Sequence, residues 1–89
     1  MSELEQAFEQ AQQDVKALTK RPSDDEMLKL YALYKQASSG DVSGSRPGML
    51  DFVGRAKYDA WAKISGLDRD DAMRSYISTA KSLISTYGA

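Results

Sequence analysis

The sequence contains no cysteine and no histidine. Without cysteine there is no disulfide, no thiolate metal site and no cysteine nucleophile. Without histidine every imidazole acid–base scheme is excluded, together with the usual zinc and iron ligand sets. Proline and glycine are scarce, at 2 and 6 of 89 residues, which favours a compact helical chain over a disordered or collagen-like one. Neither sign of charge dominates: 12 Lys and Arg face 13 Asp and Glu, for a formal net charge of −1. A generic nucleic-acid binder is strongly basic, so no nucleic-acid partner is expected. No apolar run approaches the roughly 18 residues that span a bilayer, so no stable membrane insertion is expected. The acidic, polar stretch from Met1 to Gln13 resembles neither a secretory signal nor a basic transit peptide. A cytoplasmic protein is therefore expected, with residues 1–89 forming a single domain.

What is present is helical periodicity. Leu4, Ala7, Phe8, Ala11, Val15 and Leu18 recur at spacings of 3, 4 and 7, which predicts a first helix from about Glu3 to Leu18. Pro22 breaks the chain. Ser23 and Glu26 then form an S-x-x-E capping box that starts a second helix at about Asp24, running to about Ser38 before Gly40–Asp41. Residues Asp41 to Phe52 are rich in turn formers and read as a long loop, of a length often found near function. Tyr58, Trp61 and Ile64 give a third helix from about Gly54 to Ser65, stopped by Gly66. Asp68 caps a fourth, whose stripe runs from Ala72 and Met73 through Tyr76 to Tyr87. No strand alternation and no internal repeat appears, so the fold class is all-α with four helices.

The second helix has more apolar surface than a peripheral helix needs. At about 100° per residue, Leu30, Leu33 and Ala37 fall on one side. Met27, Leu28, Tyr31 and Tyr34 fall roughly opposite, with Lys29, Ala32 and Gln36 as a polar or neutral strip between. Two explanations stand side by side. The helix lies centrally and packs on both faces, or its second face lines a site for an apolar or aromatic ligand.

Lys35 follows Tyr31 by four residues, so the two share a face, and Lys57 and Trp61 repeat the spacing on the third helix. Tyr76 adds a phenol on the fourth. Lysines beside aromatic rings suit a phosphate and a nucleobase. The plain alternatives are that Lys35 passes the apolar face to reach water and that Trp61 is core. No glycine-rich phosphate loop is present, so side chains or helix ends would hold any phosphate. The acidic runs Asp24–Glu26 and Asp68–Asp71 read as helix starts rather than metal or catalytic sites.

The run Tyr31-Ala32-Leu33-Tyr34-Lys35-Gln36-Ala37, followed by Gly40-Asp41, resembles the acyl-CoA-binding protein family. The likeness continues through Arg46-Pro47-Gly48-Met49-Leu50-Asp51-Phe52 and Gly54-Arg55-Ala56-Lys57-Tyr58-Asp59-Ala60-Trp61. It closes with Gly66, Asp71-Ala72-Met73 and Tyr76, and covers the chain from about Phe8 to Tyr87 without gaps. The resemblance implies an up-down-down-up four-helix bundle. It implies non-covalent binding of medium- and long-chain fatty acyl-CoA by a monomeric cytosolic carrier, with no cofactor and no catalysis. Tyr31, Lys35, Lys57 and Tyr76 match the family's ligand-contacting residues, the lysines and the first tyrosine holding the CoA head and notably its 3′-phosphate. Met27 and Leu28 match its apolar lining, and Phe8 its first-helix contact. The chain departs from the family's pattern at three places. Tyr58 stands where the family often has Trp, Val53 where many members carry a basic Lys, and Gln12 where a small residue is common. Two other classes compete. An interaction module that kept the fold and lost the ligand would show a tight protein partner and no bound acyl-CoA. An enzyme would need a nucleophile or base among Lys, Tyr, Ser and carboxylates, and would show turnover.

Overall fold

The computed structural model describes residues 2–88 and contains four α-helices. These are α1 (Glu3–Lys16), α2 (Asp24–Ser39), α3 (Phe52–Ala62) and α4 (Arg69–Tyr87). Local signals set most of their ends. The Ser23–Glu26 capping box closes as expected, with Ser23 accepting from the Glu26 amide and Glu26 accepting from the Ser23 amide. A second box, Ser2 with Glu5, starts α1 and was not anticipated from the sequence. Asp68 caps α4 by accepting from the amides of Asp70 and Asp71.

Three boundaries differ from expectation. α1 ends at Lys16 rather than Leu18, because the Ala17 amide closes the helix on Gln13 and Asp14. Leu18 then turns onto the core. α3 begins at Phe52 rather than Gly54, because Asp51 is its N-cap and accepts from the Gly54 amide at 2.9 Å. A Cβ at residue 54 would strike that carboxylate, so glycine lets the cap close. α3 also ends earlier, at Ala62, and continues as tight turns with hydrogen bonds three residues apart. Gly66 completes them at φ +90°, a conformation glycine adopts without strain.

Cross-helix pairs define the topology. Tyr31 meets Lys57 and Lys35 meets Trp61, so the numbers rise together and α2 and α3 run parallel. Glu26 meets Tyr87 while Ser38 meets Arg69, so α2 and α4 are antiparallel. Phe8 meets Tyr76 and Thr19 meets Tyr87, so the path of α1 follows α4 in parallel. The result is the up-down-down-up bundle. This order explains the long loop. A 16-residue helix is about 24 Å long, and a parallel successor begins only after the chain has travelled back along it. Topology, rather than function, sets the length of residues 40–51.

The core lies where α1, α2 and α4 converge. It holds Phe8 and Ala11 of α1, Leu30, Leu33 and Ala37 of α2, and Ala72, Tyr76, Ala80 and Leu83 of α4. The small side chains of Ala72 and Ala80 let α4 approach both neighbours. α3 contributes one buried residue, Trp61, and leans on α2 alone.

The polar strip expected at Ala32 and Gln36 is not solvated. Ala32 is buried, and Gln36 is 1% exposed, because α3 covers that side of α2. The Gln36 amide donates from Nε2 to the Leu67 carbonyl and to Asp41 Oδ1, each at 2.8 Å. Asp41 Oδ1 also accepts from the Gly66 amide at 2.7 Å. This knot ties the end of α2 to the turn between α3 and α4. The loop is fastened along α3 as well. Trp61 Nε1 donates to the Gly40 carbonyl at 2.9 Å, Tyr58 donates to the Gly44 carbonyl at 3.1 Å, and Arg46 grips Asp59 through two bonds of 2.9 and 2.7 Å.

Truncation of Gln36 to Ala leaves the Leu67 carbonyl without its partner, and urea unfolding should show a loss of about 1–3 kcal/mol. The Gly66 amide, and secondarily Gln36, hold the Asp41 carboxyl below its ordinary value of 3.8. A carboxyl whose pKa is lower folded than unfolded stabilises the fold at neutral pH, and that contribution fades as the pH falls through the folded value. Asp41→Ala should therefore melt below the parent at pH 7, with the gap narrowing as the pH falls below 3.8. A constant gap in thermal unfolding across that range would contradict the role given to the charge.

Candidate functional site

The outward side of α2 is the centre of the site. Its inward side is filled by α4, and α3 covers one flank. That leaves Met27, Tyr31, Tyr34 and Lys35 on a continuous outer stripe, with Met27 and Tyr34 at 36% and 40% exposure. The first explanation of the doubly apolar helix holds, since it is central, and it still keeps an exposed apolar face.

A cleft of about 600 Å³ lies between α2 and α3. Met27, Leu28 and Tyr31 form one wall, and Phe52, Val53 and Lys57 form much of the other, with Ala56 between them. The sequence reading anticipated four of these residues. Phe52 falls in the stretch that reads as loop, and Val53 stands out in the sequence only as a departure from the family's basic residue. The available signal was Asp51, an N-cap residue placed to bring both into the first turn of α3.

Each lysine rests on a ring of the opposite helix. Lys57 Nζ lies 5.3 Å from the Tyr31 ring centroid, and Lys35 Nζ lies 5.0 Å from the Trp61 centroid. The negative face of an aromatic ring attracts a cation, by about 0.5–1 kcal/mol at an exposed site. Trp61 is held in place by its own bond to Gly40, so it is both core and platform. Among the described residues neither lysine is paired with a carboxylate, whereas the salt bridges engage Arg21, Arg46 and Arg74. Two ammonium groups are thus held on rings with hydrogen-bonding capacity to spare, Lys57 on the wall of the cleft and Lys35 one turn further along α2. The arrangement suits an anion with several acceptor oxygens beside an apolar chain.

Phe8 and Tyr76 lie on the other side of the α2 stripe. The Phe8 ring lies 6.2 Å from Tyr34 at 28° and meets Tyr76 edge-on at 5.2 Å. Tyr34, which was not among the expected site residues, joins the two halves. A second depression of about 760 Å³ opens there, lined by Phe8, Gln12, Tyr34 and Met73 among others. Tyr76 is buried beneath Phe8 rather than beside the lysines. Burial pushes its hydroxyl pKa up, and the nearby Tyr34 adds to the shift, so the phenol stays protonated and available as a donor. Gln12 turns its amide back onto the Phe8 carbonyl at 3.3 Å. The seven expected residues therefore form two groups. Met27, Leu28, Tyr31 and Lys57 line the α2–α3 cleft with Lys35 one turn along, and Phe8 and Tyr76 sit across Tyr34.

A family model described as acyl CoA binding protein matches residues 5–80. An acyl-CoA-binding protein homolog of Manduca sexta is 49% identical over 86 residues, covering 96% of this chain and 96% of that protein. Homolog 1 of Caenorhabditis elegans is 47% identical over 83 residues, covering 93% of this chain and 96% of that protein. The crystal structure of acyl-CoA-binding protein 2 of Oryza sativa superposes with a TM-score of 0.91 at 37% identity, over 97% of this chain and 94% of that one.

If the ring-held lysines are spare capacity rather than structural members, replacing them should cost the fold little. Lys35→Met and Lys57→Met should each change the unfolding free energy by less than about 1 kcal/mol. Chemical denaturation checks this, and a larger loss would make the lysines part of the scaffold.

Proposed function

The chain belongs to the acyl-CoA-binding protein family, and on that premise we propose that it binds medium- and long-chain fatty acyl-CoA esters non-covalently, as a cytosolic monomer that stores and carries them. Residues 1–89 act as one acyl-CoA-binding domain in this reading. The observation that supports it is the α2–α3 cleft, walled by Met27, Leu28, Phe52, Val53 and Lys57, with Lys35 one turn further along α2; each lysine rests on a ring and, among the described residues, neither is in a salt bridge.

The mechanism follows from the two ends of the ligand. Lys35 and Lys57 leave their rings to donate charge-assisted hydrogen bonds to phosphate, the 3′-phosphate of the CoA head above all. The Tyr31 hydroxyl adds a neutral donor from the same stripe. Tyr34 offers an exposed aromatic face, and Phe8 and Tyr76 support it from behind. The acyl chain leaves water for the wall made by Met27 and Leu28, at about 0.8 kcal/mol per buried CH₂. Val53 adds apolar surface to the opposite wall. The thioester meets no histidine or cysteine, and the lysines are turned to rings rather than to a hydroxyl or carboxylate partner. Holding the ester without cleaving it is the chemistry this supports.

Isothermal calorimetry tests the reading. Palmitoyl-CoA should bind one to one, affinity should rise with chain length until the cleft is full, and CoA alone should bind far more weakly. Absence of heat and of thermal stabilisation with palmitoyl-CoA would overturn the proposal. Lys35→Ala or Tyr31→Ala should weaken binding by about tenfold or more, since a hydrogen bond to a charged group contributes about 1.5–3 kcal/mol. Unchanged affinity in Lys35→Ala would overturn the assignment of the head-group site while leaving the function standing.

A further inference from the structure

The α2–α3 cleft is not apolar from end to end. Lys57 stands beside Tyr31 at one end, and Arg21 and Asp24 stand at the other. Met27 and Leu28 line the wall between them. Tyr31 and Asp24 both belong to α2, and at about 1.5 Å per residue roughly 10 Å of helix separates the two polar ends. An acyl chain whose thioester lies by Lys57 therefore runs down α2, and its far carbons are the ones that meet Arg21 and Asp24.

The two side chains are paired, with Arg21 Nη1 at 2.9 Å from Asp24 Oδ1, and are 69% and 86% exposed. An ion pair so exposed is weak, and a ligand group enters it at little cost. Nη1 also donates to the Pro22 carbonyl at 3.2 Å, which seats the guanidinium beside the cleft. Among the described residues the N–H donors on Nε and Nη2 are left for a ligand. A guanidinium only donates and a carboxylate only accepts, whereas a hydroxyl does both. A hydroxyl is thus the small group that satisfies Arg21 and Asp24 together. A carboxylate in the same place gains Arg21 but faces Asp24, with Asp25 and Glu26 next along the helix and only Lys20 added on the cationic side. Glu26 is itself engaged by the Ser23 amide and the Tyr87 hydroxyl. A methyl group gains neither partner.

We propose that Arg21 and Asp24 recognise the far end of the acyl chain, and that the cleft favours fatty acyl-CoA esters whose last carbon carries a hydroxyl. The hydroxyl donates to the Asp24 carboxylate and accepts from the Arg21 guanidinium, while Met27 and Leu28 cover the methylenes. The proposal rests on the acyl-CoA reading above and names the tail of its ligand. Arg21 and Asp24 become specificity-determining residues, at the opposite end of the cleft from Lys57. Selection depends on length. A hydroxyl that stops short lies against Met27 and Leu28, where losing water without gaining a partner counts against it.

Isothermal calorimetry on the full chain tests this with CoA esters of eight to sixteen carbons, in unsubstituted, ω-hydroxy and ω-carboxy series. In the parent, the ω-hydroxy ester should bind more weakly than the unsubstituted one at short lengths and equal or exceed it at a longer length. The ω-carboxy ester of that longer length should bind more weakly than the ω-hydroxy ester. For variants the readout is the ratio of ω-hydroxy to unsubstituted affinity at that length, in which any general change in the cleft cancels. Arg21→Met and Asp24→Ala should each lower the ratio about threefold or more, as loss of one hydrogen bond to an exposed charged group implies. Lys29→Met removes a cation of the same helix that faces a different groove, and should leave the ratio unchanged. An ω-hydroxy ester weaker than its unsubstituted counterpart at every length would overturn the proposal while the acyl-CoA reading stands. So would a ratio that survives in either cleft variant, or an ω-carboxy ester that binds more tightly than the ω-hydroxy one. If no ester of any series binds, the acyl-CoA reading itself fails.

Discussion

Near the C-terminal end of α2, Asp41 accepts hydrogen bonds from Gln36 and from the amide of Gly66, and Gln36 in turn holds the Leu67 carbonyl. These bonds join three stretches far apart in sequence: the end of α2, the start of the loop and the turn before α4. They fix where the loop leaves α2 and where α3 finishes. With both ends fixed, α3 lies along α2 in parallel, and Lys35 and Lys57 reach the rings of the opposite helix. A slip of α3 by one turn would carry Lys57 away from Tyr31 and leave Trp61 short of Gly40. The cleft and the seats of both lysines depend on this register.

The near-zero net charge excludes a broad basic surface, yet it leaves room for a local one. The arginines outside the cleft are largely spent on carboxylates and carbonyls: Arg46 on Asp59, Arg74 on Asp71, Arg69 on Ser38. The two site lysines are held on aromatic faces, which orient an ammonium group without neutralising it. A protein of balanced composition thus keeps two lysines that form no salt bridge among the described residues, as the proposed head-group site requires. The same economy applies to apolar surface: part of the α2 face that α4 does not bury becomes a wall of the cleft.

The helices were legible because their signals are local. The Ser23 box, the Asp68 cap and the periodic stripes act within a few residues, and the structure reproduces them. The larger departures come from contact between distant residues. Gln36 reads as a surface residue by composition, and only the arrival of the 66–67 turn makes its burial favourable. The length of the 40–51 segment reads as functional, whereas the parallel order of α2 and α3 imposes it. Phe52 reads as the end of the loop, and its place in the first turn of α3 rests on a local signal, the Asp51 N-cap. For the site, residue type and spacing on α2 pointed to Tyr31 and Lys35 together. The cross-pairing of each lysine with the opposite helix's ring, and the seat of Tyr76 behind Phe8, are tertiary facts with no trace in spacing.

The central claim is that the α2–α3 cleft takes the acyl chain while Lys35 and Lys57 take the phosphate. Intermolecular nuclear Overhauser effects on the complex with palmitoyl-CoA read this out at the level of atoms. The account predicts contacts from the chain methylenes to the methyl groups of Met27, Leu28 and Val53, with the head group placed near the two lysines. Methylene contacts to Met73 and Phe8 in the second depression, with none to the α2–α3 cleft, would contradict it.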